Sequence, residues 1–360
     1  MMAVRFSITN VYSGFIRNWG YLLVAATIWI LSGCQDGEKT QSGSGEISQN
    51  IASETIDARK WQYVESEDGS QPVARHEAAF VNVGSKFYLL GGRGIRPVSI
   101  YDTQSGTWSK GPEPPIELHH FQPVVVEDRI YILGALTGGW PDETPVGHIY
   151  IYDTATNSWQ QGDAIPEARR RGSTGNVLSG SKIYMLCGIK NGHIGDHKDW
   201  ADSYDLETGS WEVLSDAPRT RDHFQAVLAD GLIYAVAGRN TGSSETPFGG
   251  TIGPVDAYHI ATDTWTTLPN PIPTERAGTA ATFCNGQILI AGGESPVQEK
   301  AHSEVEALDP KTGTWQAWPP LNEGRHGTGL VTFDDSLYIA SGCGNRGGSP
   351  ELTTMERLEN

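Results

Sequence analysis

Short apolar segments, each followed directly by two small residues, recur along this chain. Three of them are Phe87–Leu90, Ile130–Leu133 and Ile288–Ala291. A short apolar run closed by a turn signal is typical of a buried β-strand, and small residues at its end let neighbouring backbones approach closely. The six small pairs are Gly91-Gly92, Gly134-Ala135, Cys187-Gly188, Ala237-Gly238, Gly292-Gly293 and Ser341-Gly342.

Tryptophan marks a second pattern at nearly constant intervals. Spacings of 47, 51, 52, 54 and 50 residues separate Trp61, Trp108, Trp159, Trp211, Trp265 and Trp315. Seven residues before the last five of them stand Tyr101, Tyr152, Tyr204, Tyr258 and Leu308. The segments between are turn sequences, such as Asp-Thr-Gln-Ser-Gly-Thr before Trp108. Each therefore predicts a β-hairpin.

Each period of about 50 residues thus holds four strands, which we call a, b, c and d in chain order. The sixth copy begins at Arg325, and its c strand is predicted at Met355–Glu359, where the chain stops before another tryptophan. Trp61 can supply the missing d strand and close a ring, which leaves no free sheet edge. The prediction is an all-β, six-bladed propeller over residues 58–360, with four antiparallel strands in each blade.

The repeat resembles the Kelch repeat, in which a small pair follows an apolar strand and is followed in turn by a tyrosine and a tryptophan. The resemblance covers residues 58–360. It implies that strand a lies innermost. The d-to-a and b-to-c connections then share one face of the propeller, at the mouth of its central channel. Five of the six strand-a starts carry arginine at the same position, and 12 of the 15 arginines after Cys34 fall in these two types of connection.

The sequence therefore predicts a basic mouth for an anionic ligand, because guanidinium groups bind carboxylate, sulfate and phosphate through paired hydrogen bonds. The expected ligand-binding residues are Arg75, His76, Arg93, His119, His120, Arg171, Arg221, His223, Arg239, Arg276, Arg325, His326 and Arg346. The alternative is that arginine at the start of strand a is structural, since it is frequent there across Kelch repeats.

Long b-to-c loops on the same face carry aromatic residues, and loops on a rigid scaffold are where function usually resides. Trp140, Trp200 and Phe248 are candidates either to stack on a sugar ring or to pack the loops. Two sets of side chains are of the type that binds metals: His193 with Asp196, His197 and Asp199, and His119 and His120 with His76. No motif matches either set, and the sequence leads us to assign neither a metal nor a cofactor.

The N-terminus resembles a bacterial lipoprotein signal. Arg5 and Arg17 precede the apolar run 21–31, which is too short to span a bilayer, and Leu-Ser-Gly-Cys34 follows. The resemblance implies a signal peptide over residues 1–33 and lipidation of Cys34. It implies a location in the bacterial cell envelope, facing the periplasm or the exterior, and Gln35 favours an outer-membrane anchor if the source is Gram-negative. The alternative is an ordinary secretory signal. Residues 34–57 are polar and are predicted to form a flexible tether.

The net charge of the chain indicates which kinds of partner are disfavoured. The net charge of −17 disfavours nonspecific binding to nucleic acid or anionic lipid, so contact with the membrane is expected through the lipid anchor alone. The other cysteines are Cys187, Cys284 and Cys343; they indicate no disulfide framework, although a Cys187–Cys343 bridge stays open.

Three functions remain open on the sequence. The leading one is binding of an acidic carbohydrate or another anionic ligand. The second follows from a resemblance to exported sialic acid mutarotases, whose reaction needs an acid and a base; the candidates are Glu77, Asp222, His223 and Glu294. The third is protein–protein interaction, because Gly91-Gly92-Arg93 and Ala237–Asn240 resemble loop starts of Kelch propellers that grip acidic peptides. The galactose oxidase type of copper site is not predicted, since no matching Tyr-Cys pair is found at this mouth.

Overall fold

The structure is a computed structural model that describes residues 59–241 and 246–359. The predicted signal peptide, Cys34 and the tether lie outside the described residues. Apart from one 3₁₀ turn at Glu167–Arg169, the regular elements of the described part are strands, in agreement with the predicted fold class. No helix in this part of the chain is long and apolar enough to cross a membrane.

The first strand of the chain, β1, covers Gln62–Tyr63 and completes the last blade. Blade 1 consists of β2 (Ala78–Val83), β3 (Lys86–Gly91), β4 (Ser99–Asp102) and β5 (Thr107–Lys110). Blade 2 consists of β6 (Val124–Val126), β7 (Arg129–Ile132), β10 (His148–Asp153) and β11 (Ser158–Ala164). Its b-to-c loop forms the small hairpin of β8 (Leu136–Thr137) and β9 (Thr144–Pro145).

Blade 3 consists of β12 (Gly175–Ser179), β13 (Lys182–Leu186), β16 (Ala201–Asp205) and β17 (Trp211–Leu214). Its b-to-c loop is the hairpin of β14 (Ile189–Asn191) and β15 (Gly195–His197). Blade 4 consists of β18 (Ala226–Ala229), β19 (Leu232–Ala235), β20 (Asp256–His259) and β21 (Thr264–Thr267). Blade 5 consists of β22 (Ala280–Cys284), β23 (Gln287–Ala291), β24 (Val305–Asp309) and β25 (Thr314–Trp318).

Blade 6 consists of β26 (Leu330–Phe333), β27 (Ser336–Ala340), β28 (Met355–Glu359) and β1. Gln62 pairs with Arg357 in antiparallel register, so the N-terminal strand supplies strand d of the last blade, as the sequence predicted. Trp61 lies just before β1 and is 3% exposed. Its indole Nε1 donates to the carbonyl of Pro319 in blade 5, at 2.9 Å. The two ends of the chain therefore close the ring.

The seven-residue interval between tyrosine and tryptophan is the register of the outer hairpin. Tyr101 lies directly opposite Trp108 across strands c and d, and the same register recurs in blades 2, 3 and 4. In each of these four pairs the ring centroids are 5.1 Å apart, a distance at which aromatic rings stabilise each other. In blade 5 Leu308 takes the place of the tyrosine opposite Trp315.

The small pairs allow neighbouring blades to meet. A Cβ added to Gly292, whose φ is +64°, would lie 2.1 Å from the carbonyl oxygen of Arg325 in the next blade. The amide of Gly293 donates to that same carbonyl at 2.8 Å. Cys187 takes one of these small-residue positions, and Cys343 directly follows another; both are buried thiols with no bridge between them.

Candidate functional site

The arginines that start strand a lie inside the blades. Arg276 is 0% exposed, and its guanidinium donates to the carbonyl of Gly292 at 2.6 Å and to the Glu306 carboxylate on strand c at 2.5 Å. Each of the five strand-a arginines donates to the backbone carbonyl sixteen residues further along the chain. This bond explains the constant interval between the arginine and the small pair in the sequence. The five arginines are Arg75, Arg171, Arg221, Arg276 and Arg325.

Four of these arginines also pair with a buried carboxylate of strand c. The pairs are Arg171–Asp202, Arg221–Asp256, Arg276–Glu306 and Arg325–Glu356. Because every one of the five side chains is at most 1% exposed and bonded to its own blade, the structure places them in the blade interior rather than at the mouth. Their guanidinium groups are occupied within the blades and do not face the mouth cavity.

Two residues after each of the six strand-a starts, which are the five arginines and Leu118, the chain forms a ring around the channel. We call this set the channel ring: Glu77, His120, Ser173, His223, Gly278 and Gly327. All six have a left-handed backbone, with φ between 51° and 67°. Backbone hydrogen bonds of 2.7–3.0 Å join successive members from Glu77 to Gly327, except that the amide of His223 donates to the Ser173 hydroxyl. The ring closes through the amide of Ala78, which donates to the carbonyl of Gly327 at 3.0 Å.

The backbone of the channel ring repeats in every blade, but its side chains do not. Glycine suits a left-handed position, and blades 5 and 6 use it. Glu77, His120 and His223 adopt the same conformation at a cost of about 1–2 kcal/mol each. Strain of this kind concentrates at functional sites. The repeated arginines thus belong to the fold, and the unrepeated ring side chains indicate the site.

A cavity of about 400 Å³ opens at the mouth above this ring. Its lining residues are His76, Glu77, Arg93, His120, Trp140, His193, Arg239, Pro247, Phe248, Glu294, Gly347 and Gly348. The ring members Glu77 and His120 also line the narrow channel below, so they form the floor between the two spaces. A cavity of this size accommodates a small organic ligand.

The buried His326 lies between two carboxylates that line the cavity, Glu77 and Glu294. Its Nδ1 is 3.5 Å from Glu77 Oε1, and its Nε2 is 3.5 Å from Glu294 Oε2. The Nε2 also lies 2.9 Å from the carbonyl oxygens of Asn345 and Gly347. Since both ring nitrogens face only acceptors, both carry a proton. Burial alone would lower the pKa of His326, but the carboxylates of Glu294 and Glu77 raise it well above its ordinary value.

The two carboxylates stay ionised despite their burial. Burial alone would raise the pKa of Glu77, but the neighbouring His120 and His326 lower it well below the ordinary range. Burial likewise opposes ionisation of Glu294, whose pKa is lowered by His326 and Arg239. Glu77 and Glu294, two of the candidates for acid and base, therefore share His326 as a proton donor.

The other two candidates, Asp222 and His223, pair with each other. The Nδ1 of His223 is hydrogen bonded to Asp222 Oδ1. Burial would raise the pKa of Asp222, but His223 and its other neighbours lower it strongly. The pKa of His223 is itself lowered, first by burial and then by Arg239. This pair lies beside the floor, and His223 turns its Nε2 toward His193, 3.2 Å away.

Two of the three loop arginines at the mouth are paired with carboxylates. Arg93 Nη2 lies 2.5 Å from Glu143 Oε1, and Arg239 Nη1 lies 2.6 Å from Glu294 Oε1. Arg346 is exposed, and its Nη1 donates to the carbonyl of Pro296 at 3.0 Å. The mouth therefore carries compensated charges rather than the excess of cations that the sequence suggested.

The remaining predicted histidines support other groups. His76 Nδ1 lies 2.7 Å from Glu351 and faces neither His119 nor His120, so the metal set considered for these three does not form. His119 stands behind His120, with 2.6 Å between their Nδ1 atoms. Burial and Arg93 lower the pKa of His119 to about 4.

The loop set of His193, Asp196, His197 and Asp199 does not converge either. Asp196 forms an exposed pair with Lys198, and His197 Nε2 lies 3.2 Å from Asp222 Oδ2. His193 alone reaches the floor, because the β14–β15 hairpin leans on the blade 2 loop, where the His193 amide donates to the carbonyl of Pro141 at 3.0 Å.

Sequence reasoning missed Glu143. This residue is 1% exposed and bonded to both Arg93 and His193. Burial opposes its ionisation, but His193 and Arg93 lower its pKa to about 2. The only indication of Glu143 in the sequence was its place in a long b-to-c loop of blade 2. Such a loop lies outside the repeated strand positions, so the repeat does not predict where its side chains go.

Of the three loop aromatics, two line the cavity. Trp140 is 54% exposed at its wall, and Phe248 lies beside Arg239 and Arg346, whose guanidinium carbons are 5.9 Å and 5.6 Å from its ring. Trp200 instead packs against Arg169 and Lys198, at 4.2 Å and 4.7 Å, away from the cavity.

The buried histidines predict how the stability of the fold depends on pH. His119, His120 and His223 have lowered pKa values, so the unfolded chain binds protons that the folded chain does not. Their contribution is complete above about pH 6.5 and is lost as the pH falls through their folded pKa values, which for His119 is about 4. The raised pKa of His326 acts oppositely: its contribution is complete below about pH 6.5 and is lost as the pH rises through its folded pKa.

We therefore expect a stability maximum near neutral pH, measurable by urea unfolding across pH 4–9. In His326→Gln the loss of stability on the alkaline side should disappear while the loss on the acid side persists. An alkaline slope identical in wild type and His326→Gln would contradict the assignment of a charged His326.

Comparison with known proteins agrees with this fold. The Attractin/LZTR1 β-propeller family matches residues 28–300. Kelch-like protein terF of Aspergillus terreus is 28% identical over 288 residues, which cover 74% of this chain and 61% of that protein. Kelch-like protein 35 of Mus musculus is 25% identical over 283 residues, covering 78% of this chain and 45% of that protein. The chain thus spans less than two thirds of the length of these relatives.

A solved structure of YjhT has a similar fold. It aligns with a TM-score of 0.66 over 81% of this chain and 99% of that one, at 15% sequence identity, a likeness of fold alone. The match to the propeller family extends over more than half of the chain and agrees with the six four-stranded sheets. This protein belongs to the Attractin/LZTR1 β-propeller family and is a Kelch-type propeller with six blades.

Proposed function

We propose that this propeller binds a small polar ring compound, of the size of a monosaccharide, in the mouth cavity. The observation that carries the proposal is the cavity of about 400 Å³ whose floor is built from unrepeated, buried ionisable side chains. Burying ionisable groups costs stability unless they are paired and hydrogen bonded, and perturbed titratable groups in a cleft are candidates for function.

The wall and floor suit a sugar in complementary ways. The exposed face of Trp140 and the ring of Phe248 offer apolar surface for a sugar ring, while the carboxylates of Glu77 and Glu294 can accept its hydroxyl hydrogens. Arg93 is partly exposed and uses one terminal nitrogen on Glu143, which leaves further N–H groups for a ligand carboxylate. An acidic carbohydrate therefore remains the proposed ligand class.

Thermal unfolding of the purified chain, screened against neutral sugars, uronic acids, sialic acid and sulfated sugars, tests this proposal. A ligand at about 100 times its Kd stabilises the fold by about 2.7 kcal/mol. A higher unfolding temperature with acidic sugars alone supports the proposal in full. A higher unfolding temperature with neutral sugars alone supports sugar binding but contradicts the preference for an acidic sugar. No shift with any sugar would contradict it and would favour protein–protein interaction, with which the fold is also compatible.

For a sugar that binds, we expect Trp140→Ala to weaken affinity by about 2- to 10-fold, because an aromatic contact contributes about 0.5–1.5 kcal/mol. Isothermal titration calorimetry measures the change. Trp200→Ala is the matched control, since this tryptophan packs outside the cavity, and its Kd should equal that of the wild type. Equal effects of the two substitutions would place the ligand elsewhere.

An acid–base reaction on the bound sugar is the second candidate, because the carboxylates of Glu77 and Glu294 flank a single charged imidazole at the cavity floor. Proton transfer of the mutarotase type needs such groups within reach of the anomeric centre. Exchange of sugar anomers followed by NMR distinguishes the two functions. Glu294→Gln should then retain binding and lose the acceleration of exchange, whereas for a pure binding protein wild type and variant would both leave the exchange rate unchanged.

A further inference from the structure

Three histidines from separate parts of the chain bring their side chains together at the cavity floor. His120 and His223 come from the channel ring of blades 2 and 4, and His193 comes from the blade 3 hairpin. Their ligand atoms all lie within 4.8 Å of one another, and each residue is 4% exposed. The ring centroids are 4.8–5.1 Å apart, so the three imidazoles surround a common point.

Hydrogen bonds behind the rings decide which nitrogens carry protons. His193 Nδ1 lies 3.0 Å from the carboxylate of Glu143, and His223 Nδ1 is hydrogen bonded to the carboxylate of Asp222. A carboxylate can only accept here, so both Nδ1 atoms donate. In a neutral imidazole the other nitrogen then has a bare lone pair. The Nε2 atoms of His193 and His223 therefore both turn lone pairs toward the cluster.

A relay through His119 gives His120 the same tautomer. His119 Nε2 lies 3.0 Å from the carbonyl oxygen of Gly138 and must donate to it. Its Nδ1 is then an acceptor, and His120 Nδ1, 2.6 Å away, is the donor. The Nε2 of His120 is consequently bare as well. All three neutral histidines thus direct lone pairs to one place.

Such an arrangement is unfavourable without a cation. The Nε2 atoms of His193 and His223 are 3.2 Å apart, and the Nε2 of His120 is 3.4 Å from Glu77 Oε2, so acceptors face acceptors in both contacts. Two imidazole nitrogens bound at about 2.0–2.1 Å to a tetrahedral zinc ion would lie about 3.3 Å apart. The 3.2 Å between the Nε2 atoms of His193 and His223 matches this value. A metal ion between the acceptors would replace each repulsive contact with metal–ligand bonds.

The outer contacts are those of a metal site. Histidine ligands of metals almost always donate their second nitrogen to a carboxylate, a carbonyl or another acceptor that holds the ring. Glu143 is itself held by Arg93 at 2.5 Å, and Asp222 by the Thr241 hydroxyl at 3.0 Å. The floor is therefore held in place by the surrounding loops.

We propose that His120, His193 and His223 bind a divalent transition-metal ion of the zinc class through their Nε2 atoms. Glu77 is placed to serve as a fourth ligand or to accept a hydrogen bond from a metal-bound water. His120, His193 and Glu77 line the mouth cavity, so an open coordination position would face it. Three imidazoles with an open position suit a Lewis-acid site rather than a closed structural one. The site does not depend on the sugar of the proposed function.

The test uses the full chain, stripped with EDTA and dialysed, and needs no sugar. We expect one equivalent of Zn²⁺ to bind with a Kd below about 1 µM by calorimetry, a limit weaker than the affinity of structural zinc sites. Co²⁺ in its place should give the visible absorption of a four- or five-coordinate ion. Failure of the sugar screen with successful metal binding would sink the proposed function alone, and the reverse would sink this site alone.

Variants locate the ion. His193→Ala lies on a loop hairpin and should lose at least 100-fold in affinity, and Glu143→Gln, a positioning residue, should lose about 10- to 100-fold. His259→Ala, at a partly exposed histidine on β20 that lies outside the cluster, is the matched control and should bind as the wild type does. Absence of binding by folded wild-type protein, or binding unchanged in His193→Ala, would overturn the proposal. An NMR spectrum showing one proton shared by His193 and His223 in the presence of Zn²⁺ would overturn it too.

Discussion

Arg276→Met is expected to destabilise the propeller by about 3–5 kcal/mol. The substitution keeps most of the side-chain volume but leaves the Glu306 carboxylate, which is 6% exposed, without its charged partner. Removing one partner of a buried ion pair typically costs this much, because an uncompensated buried charge remains. It also removes the donors to the carbonyls of Gly292, Thr274 and Ile290. Urea unfolding at neutral pH measures the loss.

Two controls separate the ion pair from other effects. The double variant Arg276→Met/Glu306→Leu should recover part of the loss, since it leaves no buried charge unpaired. Arg129→Ala breaks the surface pair with Asp153 and should change stability by less than about 1 kcal/mol. A loss in Arg276→Met no larger than that in Arg129→Ala would contradict the structural role.

Ligand binding by Arg276→Met tests the ligand-binding role that the sequence suggested for Arg276. If Arg276 belongs to the blade interior, folded Arg276→Met should bind a mouth-cavity ligand with the Kd of the wild type. If it belonged to the ligand site, affinity would fall by an order of magnitude or more, since charged hydrogen bonds to a ligand are strong.

Trp61→Ala is expected to lower stability by about 3–5 kcal/mol, the usual cost of truncating a buried tryptophan. Trp61 is packed in the core between blades 5 and 6, and its backbone carbonyl accepts a hydrogen bond from Asn322 at 2.8 Å. The effect should be large although only two residues follow it in β1, because they close the ring. Without this closure, β28 becomes a free sheet edge.

Urea unfolding monitored by circular dichroism measures the loss, and light scattering detects association through the exposed edge. Tyr63→Ala is a control from the same strand, since Tyr63 is 48% exposed and its truncation should cost little. Unchanged stability of Trp61→Ala would mean that the ring does not depend on the N-terminal strand.

The fold was accessible from the sequence because the repeat is local and sixfold. The apolar strand, the small pair and the tryptophan each occur six times at a nearly fixed interval, and the tyrosine occurs in four of the blades. The contact between Tyr101 and Trp108, for example, is set by hairpin register alone, and Trp61 could be assigned as the closing strand by counting the copies.

The site was accessible only in part. The topology correctly brought Glu77, His120, His223, Arg239 and Glu294 to one end of the channel. The sequence could not show that Arg276 turns into its blade while Arg239 turns to the cavity, because both are arginines in mouth-face connections. That difference depends on side-chain direction and on partners 30 and 55 residues away.

By itself, the sequence determined the blade count, the strand order and the closure, since these follow from periodic local pairing and hydrophobic burial. The tertiary structure alone decided which charges are compensated and which nitrogens are bare. Arg93 meets Glu143, and His193 meets His223, through loops of different blades with no common period. Their meeting depends on the folded paths of those loops, and the chemistry of the mouth arises from those long-range contacts.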